Sequence, residues 1–362
     1  MPARRGRQGP GDRMTALPPR IGAVATAVPP YRFGQQEIAA QAAALFDGRV
    51  ADFARYRTAF ANAAIATRHS CVPAEWYAAP HSFAERNDLF IEHATALLAE
   101  AADATLARAG LRHQDVDMLV VASTTGIATP SLDARLLEVR PFRRDVERMP
   151  LFGLGCAGGV GGLARTARLA RSEPGALALL LVVELCGLTF RLADASKSNV
   201  IATALFGDGA AGVLLGTGLD GPAIVASGEW TWEESLDVMG WQVGDDGLGV
   251  LFSRDIPHLV RTRLRDAAAH TLGRHGLSLA DIDGHICHPG GAKVLDALEA
   301  TYGLAPGSMS HARAVLRDYG NMSAATVLFV LAAALAAGLH GRHLMSALGP
   351  GFTASFAVLE GA

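Results

Sequence analysis

The sequence predicts an α/β fold that is built from two duplicated halves. A pattern of Thr, Leu, Arg, Gly, Leu, Asp and Asp occupies residues 105–117 and returns with the same spacing at residues 271–283. In each copy an Ala-rich helical run ends in Gly-Leu, and a polar turn follows. Each turn leads into an apolar stretch of strand length, at residues 118–122 in the first copy and 285–287 in the second. Two copies of one helix, turn and strand therefore predict a duplicated chain.

The duplication continues at two helices that begin with glycine. Gly155-Cys156 and Gly320-Asn321 each open a run of small and apolar residues, at nearly the spacing that separates the two repeats. Cys156 and Asn321 are therefore predicted to be equivalent positions of the two halves. If the halves pack about a pseudo-twofold axis, both helix N-termini point toward the middle of the molecule, and the two side chains meet there.

The first half is predicted to begin after an N-terminal extension. Residues 1–20 contain several Arg, Gly and Pro, lack the apolar stretch of a signal peptide, and are predicted to be disordered, with Met14 as an alternative start. Residues 21–28 predict a first strand and residues 83–109 a long helix. Residues 176–183 are continuously apolar and predict a strand that is buried on both faces.

The boundary between the halves is predicted in a segment rich in turn residues, 216–222. It divides the chain into an N-terminal half, 21–218, which holds Cys156, and a C-terminal half, 219–362. Residues 223–227 predict a strand that restarts the pattern. Beyond it, a polar region that resembles a hairpin is surrounded by Trp230, Trp232 and Trp241.

The composition is that of a water-soluble enzyme. The chain has 362 residues, of which half are hydrophobic, and 40 are Gly; this length can bury a substantial core. Charges nearly cancel, at 32 basic against 35 acidic residues, so we expect no nucleic-acid partner. The longest apolar run, residues 324–339, is shorter than the roughly 18 to 20 residues that span a bilayer, and it predicts a buried helix.

The cysteines predict a reducing compartment. They form no CxxC pair and show no zinc-ligand spacing, which favours reduced thiols over a disulfide framework or a metal site. We therefore expect a cytoplasmic protein with four free thiols, at Cys71, Cys156, Cys186 and Cys287.

Cys156 is the candidate nucleophile. It lies in the string GLGCAGG, residues 153–159, and a run compatible with a helix follows. A sulfur at a helix N-terminus meets partial positive charge, which favours thiolate over thiol. The same string also fits a small buried cysteine in a glycine-rich turn.

His288 and Asn321 are the candidates to assist Cys156. His288 ends a predicted strand and enters Pro-Gly-Gly, which stops the strand and leaves space beside the ring. An imidazole there can hold the Cys156 proton as an ion pair and later donate a hydrogen bond to a carbonyl oxygen. Asn321 adds an uncharged amide donor that suits an enolate or an oxyanion. In the alternative interpretation, His288 caps a strand and Asn321 serves a turn.

Five strings of the chain carry a family resemblance. They are GLGCAGG, ALFGDGAAG, HPGGAKVLDALE, YGNMSAATVLF and ALGPGFT, which begin at residues 153, 204, 288, 319 and 347. Together, and in this order, they resemble the type III polyketide synthases, the chalcone-synthase-like members of the thiolase superfamily. The resemblance runs from about Ile21 to the C-terminus. It implies an αβαβα fold of five layers, a homodimer, and CoA thioesters as substrates, with no metal and no redox cofactor.

The resemblance also implies the chemistry. The family's Cys, His and Asn fall on Cys156, His288 and Asn321. Cys156 would take an acyl group from a starter acyl-CoA while His288 stabilises the thiolate and the oxyanion. Malonyl-CoA would then lose carbon dioxide, with its thioester oxygen held by His288 and Asn321, and attack the acyl-enzyme as an enolate. The implied reaction is iterative decarboxylative condensation.

Further matches predict the walls of the substrate route. Phe206 matches an aromatic gatekeeper between the CoA tunnel and the cavity, with a core aromatic as the alternative. Val250 falls on the second gatekeeper position, unless a small register shift places Phe252 there. Thr129, before Pro130, matches a residue that reaches across the dimer into the partner's cavity.

The remaining matches lie around the cavity and at its mouth. Thr189 and Ser323 match positions that line the cavity, and Gly349-Pro350 matches the cyclisation loop. Lys293 is expected at the tunnel mouth, where it could meet CoA phosphates. Arg55 and Arg57 are further candidates for that contact, and a solvated surface charge is the alternative for all three cations.

The type of product is predicted from two strings. GLGCAGG together with ELCGLTF, residues 184–190, is similar to bacterial members that make alkylpyrones or alkylresorcinols from long acyl starters. The main alternative is a single-condensation enzyme like β-ketoacyl-ACP synthase III, which usually lacks the proline that Pro350 matches. A degradative thiolase needs a second cysteine in residues 347–352, which contain none. A scaffold or binding protein that keeps the fold without catalysis is the last alternative.

Overall fold

The computed structural model describes residues 17–46 and 54–361, and in the second range the side chains are described from residue 58 onward. The first sixteen residues of the predicted N-terminal extension lie outside these ranges. Elements of the N-terminal half are β1 (Arg20–Ala27), β2 (Tyr31–Gly34), α1 (Gln35–Phe46), α2 (Ala54–Ala61), β3 (Thr67–Ser70), α3 (Phe83–Ala109), β4 (Met118–Ser123), α4 (Leu132–Val139), β5 (Glu147–Phe152), α5 (Gly158–Ser172), β6 (Ala178–Leu185), α6 (Lys197–Leu205) and β7 (Asp208–Gly216).

The C-terminal half begins at the next strand, after a turn segment at 217–222. Its elements are β8 (Ala223–Thr231), β9 (Met239–Gly244), β10 (Gly247–Phe252), α7 (Ile256–Gly273), β11 (Gly284–Cys287), α8 (Ala292–Tyr302), α9 (Ser310–Tyr319), α10 (Thr326–Ala336), β12 (Arg342–Gly349) and β13 (Thr353–Glu360). The two strands β9 and β10 form the hairpin that the tryptophan-rich region predicted, and this hairpin lies apart from the main sheet.

The main sheet shows the duplication directly. Nine strands follow the order β11-β12-β13-β8-β1-β7-β6-β4-β5. On one side of the middle, β1 pairs antiparallel with β7, β7 antiparallel with β6, and β6 parallel with β4. On the other side, β8, β13, β12 and β11 repeat the same three pairings. The two half-sheets are joined only at the start of β1 and β8, where Arg20 pairs with Ala223.

Helices cover both faces of the half-sheets and fill the space between them. The long helix α3 packs on β1, β6 and β7, and α7 packs on β8 and β13. Between the half-sheets, α5 contacts β4, β6 and β7 of one half and β8, β12 and β13 of the other. Its counterpart α10 contacts β1 and β7 as well as β11. This arrangement confirms the predicted αβαβα fold of five layers.

The repeated aspartates explain why the sequence pattern is duplicated. The side chain of Asp117 accepts a hydrogen bond of 2.8 Å from the backbone N–H of Leu177, just before β6. Asp283 accepts an equivalent bond of 2.8 Å from Arg342, at the start of β12. In both halves this carboxylate satisfies a backbone donor at the point where the neighbouring parallel strand begins.

Several predicted elements differ in their bounds. The strand predicted at 21–28 begins and ends one residue earlier, as β1, and the strand predicted at 223–227 extends four residues further, as β8. The strand predicted at 176–183 begins and ends two residues later, as β6. The helix predicted at 324–339 is a single 3₁₀ turn, Ser323–Ala325, followed by α10, which ends at Ala336. Gly338 has a φ of 84°, a conformation that favours glycine and ends the helix. Of the helices that the structure describes, none is long and apolar enough to cross a membrane.

The two central helices approach each other closely at Gly159, in the first turn of α5. A Cβ atom placed on this residue would lie 2.3 Å from the carbonyl oxygen of Ala324 and 2.5 Å from Cγ1 of Val327. Backbone and side chain from the other half thus occupy the space that any larger residue needs. Glycine at this position allows the N-termini of α5 and α10 to meet.

We expect Gly159→Ala to lower the free energy of unfolding by about 1–3 kcal/mol, because the added methyl group forces the central helices apart. Gly273→Ala is the matched control, since a Cβ atom on this helical glycine meets no atom within 4 Å. Alanine favours the helix by up to about 1 kcal/mol relative to glycine, so the control should be as stable as the parent or more stable. Chemical denaturation measures both variants, and equal stability of the two would contradict the proposed close contact.

Candidate active site

One cavity of about 700 Å³ contains all three predicted catalytic residues. Cys156 comes from the start of the central helix of the first half, Asn321 from the segment before α10, and His288 from the end of β11. Its volume is typical of cavities that bind small molecules. The structure therefore brings together residues that lie far apart in the sequence.

Cys156 lies in a single 3₁₀ turn, Gly155–Ala157, which leads into α5. The backbone of Gly155 has a φ of 48°, and its N–H donates a hydrogen bond of 3.0 Å to Oγ1 of Thr124. A Cβ atom on Gly155 would lie 2.5 Å from the ring of Pro350, so only glycine fits this turn. The turn presents the sulfur to the cavity with 8% of the residue exposed.

Burial has the largest influence on the pKa of the Cys156 thiol. Its Sγ donates a hydrogen bond to Oγ of Ser323, 3.7 Å away. Burial and, to a smaller extent, the charge of Glu184 raise the pKa of Cys156 to about 12. Removal from water disfavours the charged form, and this effect opposes the stabilisation of a thiolate that the helix N-terminus is predicted to provide.

His288 is a neutral imidazole in the free site. Its backbone N–H donates a hydrogen bond of 2.9 Å to the carbonyl oxygen of Ser346, which continues the pairing of β11 with β12. Burial lowers the pKa of His288 to about 4. Neither ring nitrogen has a hydrogen-bond partner among the described residues, so the predicted ion pair with Cys156 is not formed in this conformation. Burying two nitrogens without hydrogen-bond partners destabilises the folded protein unless a ligand bonds to them.

Asn321 is held by both halves of the chain. Its backbone N–H donates to Leu205 at 2.8 Å, and its carbonyl oxygen accepts from Gly207 at 3.1 Å. In the side chain, Nδ2 donates to the carbonyl oxygen of Gly290 at 3.3 Å, and Oδ1 accepts from the N–H of Ser323 at 2.9 Å. The amide group carries two hydrogens. One of them therefore remains for a ligand in the cavity.

Cys156 and Asn321 do not bond to each other, and Ser323 connects them. Its hydroxyl accepts from Cys156, and its backbone N–H donates to Asn321. Ser323 has a φ of 45°, a left-handed conformation that is uncommon outside glycine. The predicted position of Ser323 beside the cavity thus corresponds to a direct contact with the nucleophile.

Glu184 was not predicted from the sequence. Its side chain is completely buried beside the site and accepts hydrogen bonds from the N–H of Thr124 at 3.0 Å and from Oγ1 of Thr125 at 2.8 Å. Burial raises the pKa of Glu184 to about 7, although these hydrogen bonds act in the opposite direction. The sequence does contain a signal, because Glu184 is a charged residue near the end of an otherwise apolar strand.

The predicted gatekeepers form one aromatic cluster. The ring of Phe206 lies 5.7 Å from the ring of Phe252 and 6.3 Å from that of Trp241. Phe252 lines the cavity with Cys156, whereas Val250 packs against the same cluster without lining that cavity. The aromatic side chain two residues beyond Val250 therefore occupies the cavity wall.

A smaller cavity of about 70 Å³ lies beside the first. Phe206 and Thr189 line it, and so does Cys186, which packs against the ring of Phe206. Different residues of α6 line the two cavities, so this helix separates them. The hydroxyl of Thr189 donates to the carbonyl oxygen of Cys186 at 2.7 Å, which leaves the methyl group for the cavity.

Other predicted residues take different places. Pro350 contacts the turn that holds Cys156, and a Cβ atom on Gly349 would lie 2.3 Å from the carbonyl oxygen of Leu154; the loop thus supports the turn rather than lining the cavity. Thr129 is exposed, precedes a cis peptide bond to Pro130, and does not line the cavity of its own chain.

Three cations surround the mouth of the cavity. Lys293 lines it as predicted and is exposed, and the structure adds Lys197 and Arg254. Arg55 and Arg57 belong to α2, but their side chains lie outside the described residues. Among the residues that the structure describes, no group of three or more His, Cys, Asp or Glu side chains could hold a metal ion.

A buried thiol, an imidazole and a carboxamide around one cavity, carried by two duplicated half-sheets, define an acyl-transferring enzyme of the thiolase-like class. Comparison with known proteins gives the family. Residues 57–219 match the family model for the N-terminal domain of chalcone and stilbene synthases, and residues 227–361 match that for the C-terminal domain.

Curated relatives and solved structures agree with this match. The chain is 39% identical over 350 residues to a putative chalcone synthase of Bacillus subtilis (strain 168), covering 92% of this chain and 96% of the relative. It is 39% identical over 363 residues to 1,3,6,8-tetrahydroxynaphthalene synthase of Streptomyces peucetius subsp. caesius, covering 97% and 96%. The crystal structure of 1,3,6,8-tetrahydroxynaphthalene synthase from Streptomyces coelicolor A3(2) has a TM-score of 0.90 at 26% identity, covering 94% of this chain and 99% of that one.

The chain therefore belongs to the chalcone and stilbene synthase family, the type III polyketide synthases. As a member it is an acyltransferase that uses CoA thioesters and needs no additional cofactor. This assignment decides against a degradative thiolase and against a scaffold without catalysis.

We expect alkylation of Cys156 by iodoacetamide in the free parent enzyme to be slow at pH 7 and to increase above pH 9, because burial raises the pKa of the thiol to about 12. His288→Gln should keep this pH profile, because the imidazole is neutral and makes no hydrogen bond to the thiol in the free site. Mass spectrometry of the alkylated peptide gives both profiles. Fast alkylation of the parent at pH 7 that is lost in His288→Gln would instead show that the two groups form an ion pair without substrate.

Proposed function

We propose that the protein condenses malonyl-CoA repeatedly onto a fatty acyl starter that is held as a thioester on Cys156, and that the chain then cyclises to a product of the alkylpyrone or alkylresorcinol type. The observation that carries this proposal is the shared cavity of Cys156, His288 and Asn321, with cations at its mouth and an aromatic cluster in its wall. These are the groups that transfer of an acyl chain from CoA requires.

The loading step uses Cys156 and His288. His288 takes the thiol proton, and the thiolate attacks the carbonyl carbon of the starter acyl-CoA. The negative charge moves to the carbonyl oxygen, where the imidazolium of His288 can meet it. Collapse of this intermediate breaks the bond to the CoA sulfur, which leaves with the proton from His288. The products are the acyl-enzyme and free CoA.

The extension step uses His288 and Asn321. Loss of carbon dioxide from malonyl-CoA leaves an electron pair that delocalises onto the thioester oxygen, and both side chains can donate hydrogen bonds to this enolate. The enolate carbon attacks the thioester on Cys156, forms a carbon–carbon bond and expels the cysteine thiolate. A negative charge nearby would oppose the enolate, and the raised pKa of Glu184 keeps part of that carboxyl population neutral at neutral pH.

The proposed fatty starter is supported by the apolar walls of the two cavities. Leu205, Met239, Phe252 and Leu264 line the larger one, and Phe33, Ile38, Leu45 and Phe190 line the smaller one. Side chains of this kind accept an alkyl chain and offer it no hydrogen bonds. The cations Lys197, Arg254 and Lys293 at the mouth are placed to meet the phosphates of CoA.

A second candidate function is an aromatic polyketide made from malonyl-CoA alone. The observation that favours it is the 39% identity to the Streptomyces peucetius protein, which is named for 1,3,6,8-tetrahydroxynaphthalene. The same catalytic residues would serve both functions, and the choice depends on which acyl group Cys156 accepts first.

We expect purified protein with malonyl-CoA and a long-chain acyl-CoA to release CoA and form products whose mass is the starter plus several two-carbon units. Liquid chromatography with mass spectrometry reports starter length, number of extensions and ring type. A naphthalene product from malonyl-CoA alone, with no incorporation of acyl-CoA, would reject the fatty starter in favour of the second candidate. A product extended only once would contradict iterative condensation.

Two variants and one control variant assign the chemistry within this assay. Cys156→Ala should lose acyl loading and product formation, whereas Cys287→Ala, which removes a buried thiol outside the cavity lining, should keep both. Asn321→Ala should load acyl groups on Cys156 but lose malonyl-CoA decarboxylation by about 100-fold or more, as expected when one donor to a developing oxyanion is removed. Turnover by Cys156→Ala would disprove the mechanism.

The protein is also proposed to be a homodimer, as the resemblance implied. Among the described strands, β5 is the last of the sheet and pairs only with β4, so one of its edges has no partner strand. Phe152 ends β5 and is 61% exposed, and Val139 at the end of the neighbouring α4 is 48% exposed. Ile127, in the loop before α4, is 46% exposed. A free edge with apolar neighbours favours pairing with a second copy. Thr129 lies in the same loop as Ile127, which suits its predicted approach to the partner. The cytoplasmic location stays a prediction.

We expect light scattering to give the parent a mass of two 37.8-kDa chains and Phe152→Lys a mass close to one. A charge on the free edge opposes strand pairing between copies. Leu17→Lys is the control, because Leu17 is 68% exposed but precedes β1, which β7, β6 and β4 separate from β5. A dimeric Phe152→Lys would place the interface elsewhere.

A further inference from the structure

Arg68 is a buried arginine that forms no salt bridge among the described residues, although the charge of Asp208 acts on it and opposes the effect of burial on its pKa. It lies on β3 and is 4% exposed. Its Nη1 donates hydrogen bonds of 2.8 Å to the carbonyl oxygens of Thr203 and Phe206. Its Nη2 donates to the carbonyl oxygen of Ala204 at 2.9 Å and to Oε1 of Gln35. One guanidinium thus donates hydrogen bonds to three backbone carbonyl groups near the end of α6, those of Thr203, Ala204 and Phe206.

The carbonyl groups that Arg68 binds are those that α6 itself leaves unpaired. The last carbonyl groups of a helix lack partners within the helix and carry partial negative charge. Burial lowers the pKa of Arg68 to about 10, so the guanidinium remains charged at neutral pH. The cation therefore ends the helix and fixes the direction in which the chain leaves it.

The residue that leaves the helix at this point is Phe206. Its N–H still bonds to Ala202 at 2.8 Å, and its carbonyl oxygen is held by Arg68. Phe206 forms a parallel bridge with Asn321. The bonds on either side of this bridge run between Leu205 and Asn321 and between Gly207 and Asn321. The position of the Asn321 backbone thus depends on the turn that Arg68 binds.

The strand of Arg68 also contacts the segment that leads to Asn321. The backbone N–H of Ala66 donates to the carbonyl oxygen of Arg317 at 2.6 Å, and Oγ1 of Thr67 donates to that of Asp318 at 2.8 Å. A Cβ atom on Gly320 would lie 3.6 Å from Cβ of Arg68 and 2.8 Å from the carbonyl oxygen of Leu205. Arg68 therefore lies between the turn that follows α6 in the N-terminal half and the segment that leads to Asn321 in the C-terminal half.

The other two catalytic residues are held by different contacts. Gly155, beside Cys156, bonds to Thr124, and His288 bonds to Ser346. Arg68 makes none of these contacts. A change at Arg68 should therefore affect the functions of Asn321 and Phe206 before those of Cys156 and His288.

We propose that Arg68 is a positioning residue, which fixes the turn at residues 203–207 and thereby the amide of Asn321 and the ring of Phe206 for malonyl-CoA decarboxylation. This inference rests on the proposed role of Asn321 in that step. Lysine at position 68 would keep the charge but could not span carbonyl groups on both sides as the planar guanidinium does. The proposal thus requires the shape of the arginine as well as its charge.

The test compares Arg68→Lys with Arg108→Lys. Arg108 also donates to a backbone carbonyl oxygen, that of Val24 at 2.6 Å, but lies at the end of α3 away from the cavity. We expect Arg68→Lys to decrease the rate of malonyl-CoA decarboxylation by about 10- to 100-fold, as a small displacement of a catalytic group does. Acyl loading on Cys156, measured on the intact protein by mass spectrometry, should change less than about threefold. Arg108→Lys should change neither.

Hydrogen exchange supplies a readout that does not depend on turnover. The backbone amides of Gly207 and Asn321 should exchange faster in Arg68→Lys than in the parent, because the turn opens more often. If Arg68→Lys does not fold, Gln35→Met takes its place in the test, because this variant removes the side-chain acceptor of Arg68. Gln35→Met should also decrease the rate of decarboxylation more than the rate of acyl loading, but by a smaller factor than Arg68→Lys.

The outcomes distinguish the proposal from the function on which it rests. If decarboxylation and loading fall equally, or if neither changes while exchange is unaltered, Arg68 has no positioning role. If Asn321→Ala retains full decarboxylation, the assigned role of Asn321 fails. In that case exchange at Gly207 and Asn321 alone decides whether Arg68 orders the turn.

Discussion

The contact between the central helices α5 and α10 is the constraint on which the site depends. Each helix begins next to candidate catalytic residues, Cys156 in one half and Asn321 with Ser323 in the other. The helices can begin side by side only because Gly159 leaves space for the carbonyl oxygen of Ala324. The duplicated half-sheets then enclose this contact from both faces, so the site is formed where the two halves meet and belongs to neither alone.

Burial at this junction determines the charge state of the free site. It raises the pKa of Cys156, lowers that of His288 and raises that of Glu184 to about 7. At neutral pH the free site therefore favours a neutral thiol and a neutral imidazole until the substrate brings a carbonyl oxygen on which charge can develop. Donors that are already in place, such as the amide of Asn321, then stabilise that charge without reorganising. Burial thus makes charge formation depend on the substrate.

Much of the fold and part of the site could be predicted from the sequence. Asp117 and Asp283 of the repeat indicated the duplication, and each accepts a hydrogen bond from a backbone N–H where the neighbouring parallel strand begins. The exact cavity wall was harder to predict: Phe252 rather than Val250 lines the cavity. The two side chains share one face of β10, so their position along the strand, and not the face, decides which of them reaches the cavity. The loop with Pro350 matched a family string, and in the structure this loop packs against the turn that holds Cys156 and does not line the cavity.

By itself, the sequence determined the α/β class and the two halves, and it singled out Cys156, His288 and Asn321 as candidate catalytic residues, because strings and repeats record residue type and spacing. Only the tertiary structure revealed the surroundings of Glu184 and Arg68. Both are buried charges whose partners come from distant segments, Thr124 for the first and Phe206 for the second. The tertiary structure also showed that the Cys156 sulfur bonds to Ser323 and that burial raises the pKa of this thiol. Loss of solvent and the direction of hydrogen bonds depend on which segments pack together, and a local pattern of residues does not contain that information.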